Sequence, residues 1–87
     1  MVKHMDRDSI LQVIIKNAAE VLPELRDHDF QPDDSLAQLG ANSMDRSEIL
    51  MMTLEDLALK APAVAFHGAK NIGALADAIH EKLAAVH

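Results

Sequence analysis

Leu36-Ala37-Gln38-Leu39-Gly40-Ala41-Asn42-Ser43-Met44-Asp45 places a turn point directly before a helix start. Gly40 marks the turn. Asn42 is a strong N-cap residue, and Asp45, three positions on, suits the reciprocal partner of a capping box. That spacing puts Ser43 at the first helical position. Its hydroxyl then points outward, beside backbone N–H groups that have no partner inside the helix. A phosphate attached there would lie against the positive end of the helix.

Outward from this point the apolar spacing is helical throughout. The helix that begins at Asn42-Ser43 carries Ile49, Leu50, Thr53, Leu54 and Leu57 on its core side, and Lys60-Ala61-Pro62 is expected to end it. Before it, Ile10, Val13, Ile14, Ala18, Val21 and Leu22 fall at three- and four-residue steps, predicting an amphipathic helix over roughly 8–22 closed by Pro23. Residues 23–42 form a long connection rich in Asp, Pro and Gln, with Leu36 and Leu39 as apolar anchors. A short turn of helix is expected near 65–69, around Gly68. A last helix is expected from about Asn71 to Ala85, with Ile72, Leu75, Ala76, Ile79 and Leu83 inward. No strand pattern or internal repeat is visible. The expected fold is an all-α, small four-helix bundle: three main helices, a short third helix, and a long loop between the first two. At 87 residues it forms a single domain, 1–87, with its core at about 8–85.

Composition removes several function classes. The chain has no Cys, which excludes disulfides, thiolate metal sites and a cysteine nucleophile. No apolar run approaches the roughly 18 residues that a membrane helix needs, and the N-terminal residues 1–8 lack the apolar segment of a signal peptide, so a cytoplasmic location is expected. Trp and Tyr are absent and only Phe30 and Phe66 are aromatic, which leaves little surface for stacking single-stranded nucleic acid. The net charge of −6 is concentrated: residues 24–56 hold nine acidic side chains against Arg26 and Arg46. Such a segment repels phosphate, opposing a nucleic-acid-binding helix-turn-helix, and attracts basic patches on other proteins.

The Leu36–Asp45 stretch resembles the 4′-phosphopantetheine attachment motif of the acyl carrier proteins, which typically read Leu-Gly-x-Asp-Ser-Leu/Met at this place. The resemblance extends from about Asp8 to Leu83: long first helix, long acidic loop, second helix opening on the modified Ser, short third helix and final helix. Asn71-Ile72-Gly73-Ala74-Leu75-Ala76-Asp77-Ala78-Ile79 looks like the family's last helix. By this resemblance Ser43 carries the prosthetic arm, and the chain is a carrier rather than an enzyme. The chemistry agrees with what the chain lacks. A thioester needs a thiol, and the arm supplies one, with metal and base coming from a phosphopantetheinyl transferase.

Asn42 departs from the family pattern, where Asp usually precedes the modified Ser. It keeps a capping oxygen and removes a charge. Gly-Ala-Asn-Ser-Met-Asp-Arg-Ser-Glu-Ile looks most like the freestanding donor carriers of polyketide β-branching cassettes, with Arg at the Arg46 position. That likeness implies an arm bearing malonyl, loaded by an acyltransferase. A ketosynthase-like decarboxylase would convert malonyl to acetyl, and a synthase resembling hydroxymethylglutaryl-CoA synthase would add it to a β-ketothioester on another carrier. A monomer is expected. The alternatives are a carrier for fatty-acid, peptidyl or D-alanyl transfer, or an acidic helical adaptor that is never modified.

The second helix then presents Asn42, Met44, Asp45, Arg46, Ser47, Glu48, Met51 and Glu55 to partners. Met44 and Met51 are soft contacts that adapt to different surfaces. Met51 and Met52 serve equally well as core filling, and Glu48 and Glu55 as a solvated face. Arg46 either pairs locally with Asp45 or Glu48, or discriminates among partners. No metal is expected. His4, His28, His67, His80 and His87 show no paired ligand spacing. Asp27-x-Asp29 opens like a calcium loop, but Pro32 stands where Gly is needed and Gln38 where Glu is needed.

Overall fold

A computed structural model describes residues 6–85. The first five residues and the last two, with Lys3, His4, His87 and the choice of Met1 or Met5 as start, lie outside the described residues. Three α-helices share one apolar core: α1 (Arg7–Val21), α2 (Ser43–Asp56) and α3 (Ile72–Ala85). Two 3-10 turns, Pro23–Leu25 and Ala63–Phe66, complete the order. The expected short third helix is the second of these turns, not a helix over 65–69. Four residues suffice only to drop Phe66 into the core.

Each helix begins on a side-chain cap. The Asp6 carboxylate accepts the Ser9 N–H at 2.8 Å at the start of α1. At α2 the reciprocal box is complete: Asn42 Oδ1 accepts from Asp45 N at 2.8 Å, and Asp45 Oδ2 accepts from Asn42 N at 3.2 Å. Asn71 Oδ1 accepts from Ala74 N at 2.7 Å at the start of α3. α1 ends at Leu22-Pro23, as the proline requires. α2 ends four residues earlier than its sequence predicts. Ala58 takes a left-handed φ of 53°, reversing the chain before Lys60, and Leu59 N donates to Leu54 O across the reversal. Leu57, expected inward, is consequently only half-buried.

Ile10, Ile14, Ile49, Ile72 and Ile79 are sealed from solvent where the three helices meet. Each contributes about 1.5–3 kcal/mol of burial. The long connection folds onto this core through Leu25 and Leu36, with Phe30 and Leu39 packed against it. It also supplies the acceptors that α3 lacks: Ile72 N donates to Asp34 O and Gly73 N to Pro32 O. Asp34 in turn accepts from Gln31 N and lies 3.0 Å from His28 Nε2. The Gln31 N–H, and secondarily His28, hold its carboxyl below the ordinary value.

One polar link crosses the core. Asn17 on α1 is 1 % exposed and donates to Thr53 Oγ1 at 3.0 Å and to Asp56 Oδ2 at 3.1 Å on α2. Thr53 Oγ1 donates onward to Ile49 O at 2.8 Å. Asn17→Ala leaves a cavity and strips Thr53 of one partner. It should cost about 1–3 kcal/mol in a denaturant melt. Asn17→Ala combined with Thr53→Val, which removes both partners, should cost less than the two single changes added together.

Candidate functional site

Ser43 stands at the first position of α2 and is exposed. Of the four N–H groups that open the helix, two are consumed by the capping box. Those of Ser43 and Met44 have no acceptor among the described residues. The hydroxyl of Ser43 therefore projects beside two free N–H donors at the positive end of a 14-residue helix. The last turn of the connection fixes this corner. Gly40 takes φ 108°, and Ala41, buried, donates back to Leu36 O at 2.9 Å.

Two grooves meet along Ser43 and Ser47. One is lined by Asn42, Met44, Asp45, Glu48, Met51, Met52 and Glu55 as well as those two serines. Met44 and Met51 stand 80 % and 65 % exposed, so Met51 is surface, while Met52 is half-buried at the edge of the same groove. The structure thus brings Asn42, Ser43, Met44, Asp45, Ser47, Glu48, Met51 and Glu55 onto one face. This face is acidic and carries no cation.

Arg46 lies elsewhere. Its guanidinium donates to Ala41 O at 2.8 Å and makes no ion pair with Asp45 or Glu48 among the described residues, so of the two roles the sequence leaves open the local pairing is not observed. The Asp45 carboxylate is already held by the cap, and the Ala41 carbonyl is left free by the turn before the helix. Arg46 lines the second groove, of about 600 Å³, which runs between α2, the connection, the Ala63–Phe66 turn and α3. Its floor is Leu36, Leu50, Phe66, Ile72 and Leu75, and its polar lining includes Arg46, His67, Lys70 and Asn71. Sequence reasoning missed this groove, because its walls come from segments some thirty residues apart.

No group of three or more His, Asp or Glu is placed to hold a metal among the described residues. Among the same residues no helix is long and apolar enough to cross a membrane.

Comparison with known proteins agrees with this geometry. Residues 12–79 match the family model described as the phosphopantetheine attachment site. The polyketide biosynthesis acyl-carrier-protein AcpK of Bacillus subtilis (strain 168) is 52 % identical over 79 residues, covering 91 % of this chain and 96 % of that protein. A chain in the crystal structure of the curacin biosynthetic pathway HMG synthase in complex with acetyl donor-ACP superposes with a TM-score of 0.86 at 45 % identity. That match covers 88 % of this chain and 99 % of that one. The chain belongs to the acyl carrier proteins, the carriers of a phosphopantetheine arm. Its work is carriage, not catalysis.

Proposed function

We propose that Ser43 bears the 4′-phosphopantetheine arm and that the chain is the cytoplasmic donor carrier of a polyketide β-branching cassette, acting as a single domain over 1–87. The observation that carries the first part is the exposed Ser43 hydroxyl, set between a completed cap and two unused N–H donors. In attachment, the Ser43 oxygen forms a new bond to the phosphorus of coenzyme A that bears the pantetheine. The nucleotide portion leaves, and the serine proton passes to a base of the phosphopantetheinyl transferase. The free N–H groups of Ser43 and Met44 are then placed to hold the phosphodiester.

The second part is supported by the likeness to a polyketide carrier and to an acetyl donor carrier bound to HMG synthase. The arm takes malonyl from an acyltransferase. A ketosynthase-like decarboxylase releases carbon dioxide and leaves acetyl. An HMG-CoA-synthase-like enzyme joins that acetyl to a β-ketothioester on another carrier. A flexible tether raises the local concentration of acyl group at each docked enzyme, and weak docking keeps turnover fast.

The test is mass spectrometry in sequence. The chain should gain a pantetheine arm, accept malonyl, lose carbon dioxide with the decarboxylase and pass acetyl to the synthase. A chain that gains the arm but is ignored by decarboxylase and synthase would sink the pathway and keep the carrier. The acidic face carries its own expectation. Glu48→Lys and Glu55→Lys should slow partner association at low salt while changing stability by under about 0.5 kcal/mol. Unchanged association rates would show that this face does not steer.

A further inference from the structure

The chain is acidic, with 14 Asp and Glu against 8 Lys and Arg. Yet no Asp or Glu lines the groove beside Ser43 between α2 and α3, whereas Arg46, His67 and Lys70 do. The neighbouring face on the other side of Ser43 has the opposite pattern, with Asp45, Glu48 and Glu55 and no cation. Ser43 therefore stands on a boundary between two surfaces of opposite polarity. An arm attached there swings toward one or the other.

The basic residues of the groove are available. Lys70 and His67 are exposed and make no ion pair among the described residues. Arg46 spends one donor on Ala41 O, and a guanidinium has five. Below them the apolar floor, including Leu50, Phe66 and Ile72, suits the apolar part of a folded arm, and about 600 Å³ is the size of a small-molecule site. An anionic end group gains here from three positive or polar donors. A neutral one of similar size gains only the floor.

We propose that this groove sorts acyl groups by charge: it retains an arm ending in a carboxylate, the malonyl class, and releases one ending in a neutral acetyl. The proposal rests on Ser43 as the attachment point. Its consequence is a switch made by the reaction itself. Decarboxylation breaks the bond between the α-carbon and the carboxylate. The electron pair stays on the α-carbon and is then protonated, and carbon dioxide departs. With the anion gone, Lys70 and His67 lose their partner, and the acetyl arm is free to reach the acceptor enzyme.

The experiment loads the full chain from malonyl-CoA, acetyl-CoA or free coenzyme A with a permissive phosphopantetheinyl transferase, and confirms each form by intact mass. Amide shifts of Lys70, Ile72 and Leu75 are then compared between forms. A surface ion pair of this kind corresponds to roughly two- to fivefold more docked arm for malonyl than for acetyl. The excess should shrink in high salt and fall in the Lys70→Gln, His67→Gln double variant, which leaves only Arg46 to hold the carboxylate. Equal perturbation by malonyl and acetyl overturns the proposal, as does an excess that is undiminished in the double variant. Failure to gain the arm overturns the Ser43 assignment, and the proposal with it. A malonyl chain that loads and shows no excess overturns only the sorting.

Discussion

Ser43→Ala should fold and melt as the parent chain does and take up no phosphopantetheine. The structural half follows from position. Ser43 is exposed, makes no side-chain hydrogen bond among the described residues, and leaves the capping box to Asn42 and Asp45. Ala is also the better helix former, so the change in stability should stay within about 0.5 kcal/mol. The functional half is all or none, because the hydroxyl oxygen is the atom that bonds to phosphorus. Ser47 is the natural control. It is exposed and lines both grooves, but it lies one turn further on, where backbone N–H groups are engaged within the helix. Ser47→Ala should still gain the full mass of the arm. Intact mass after incubation with transferase, magnesium and coenzyme A decides the matter. A full mass gain in Ser43→Ala, or its loss in Ser47→Ala, would move the site.

The corner at Ser43 was legible because its determinants are local. Asn42 and Asp45 lie three residues apart, and the box they predict is the box observed. The helix faces were legible for the same reason: Ile10, Ile14, Ile49, Ile72, Ala76 and Ile79 follow the helical period and are all buried. What escaped depends on distant partners or on backbone conformation that no residue type announces. Nothing at Ala58 signals a positive φ, so the sequence pattern runs α2 on toward Lys60-Ala61-Pro62. Asn17 falls on the buried face of α1, but a polar residue contributes nothing to an apolar count. Its role appears only when Thr53 and Asp56 arrive from α2. The sequence around Arg46 suggests a charged neighbour or a binding partner, while the group it meets within the chain is a carbonyl five residues back. The sequence gives the long connection only two apolar anchors, Leu36 and Leu39. Much of it is structural, burying Leu25 and Leu36 and closing the start of α3.

Gly73→Ala sets two rules against each other, and their magnitudes decide the outcome. By helix propensity alone, Ala in place of Gly in the first turn of α3 gains up to about 1 kcal/mol. By contact, a Cβ at Gly73 would stand 2.7 Å from Pro32 O, 2.7 Å from an Arg7 guanidinium nitrogen and 3.0 Å from Pro32 Cβ. The arginine end can swing aside. The carbonyl cannot, because it accepts the Gly73 N–H at 2.7 Å, and retreat would break that bond and draw the connection away from α3. Overpacking of this kind costs about 1–3 kcal/mol, and the lost hydrogen bond adds to it. The expected net is a destabilisation of about 1–2 kcal/mol, or roughly 5–15 °C in Tm for a domain of this size. Gly68→Ala supplies the comparison, since nothing lies within 4 Å of its added Cβ. It should be neutral or gain about 0.4–1 kcal/mol through the unfolded chain. Paired thermal melts of the two variants test the argument. If Gly73→Ala melts at or above the parent, the connection yields at Pro32, and the closure of α3 by the loop is softer than its hydrogen bonds indicate.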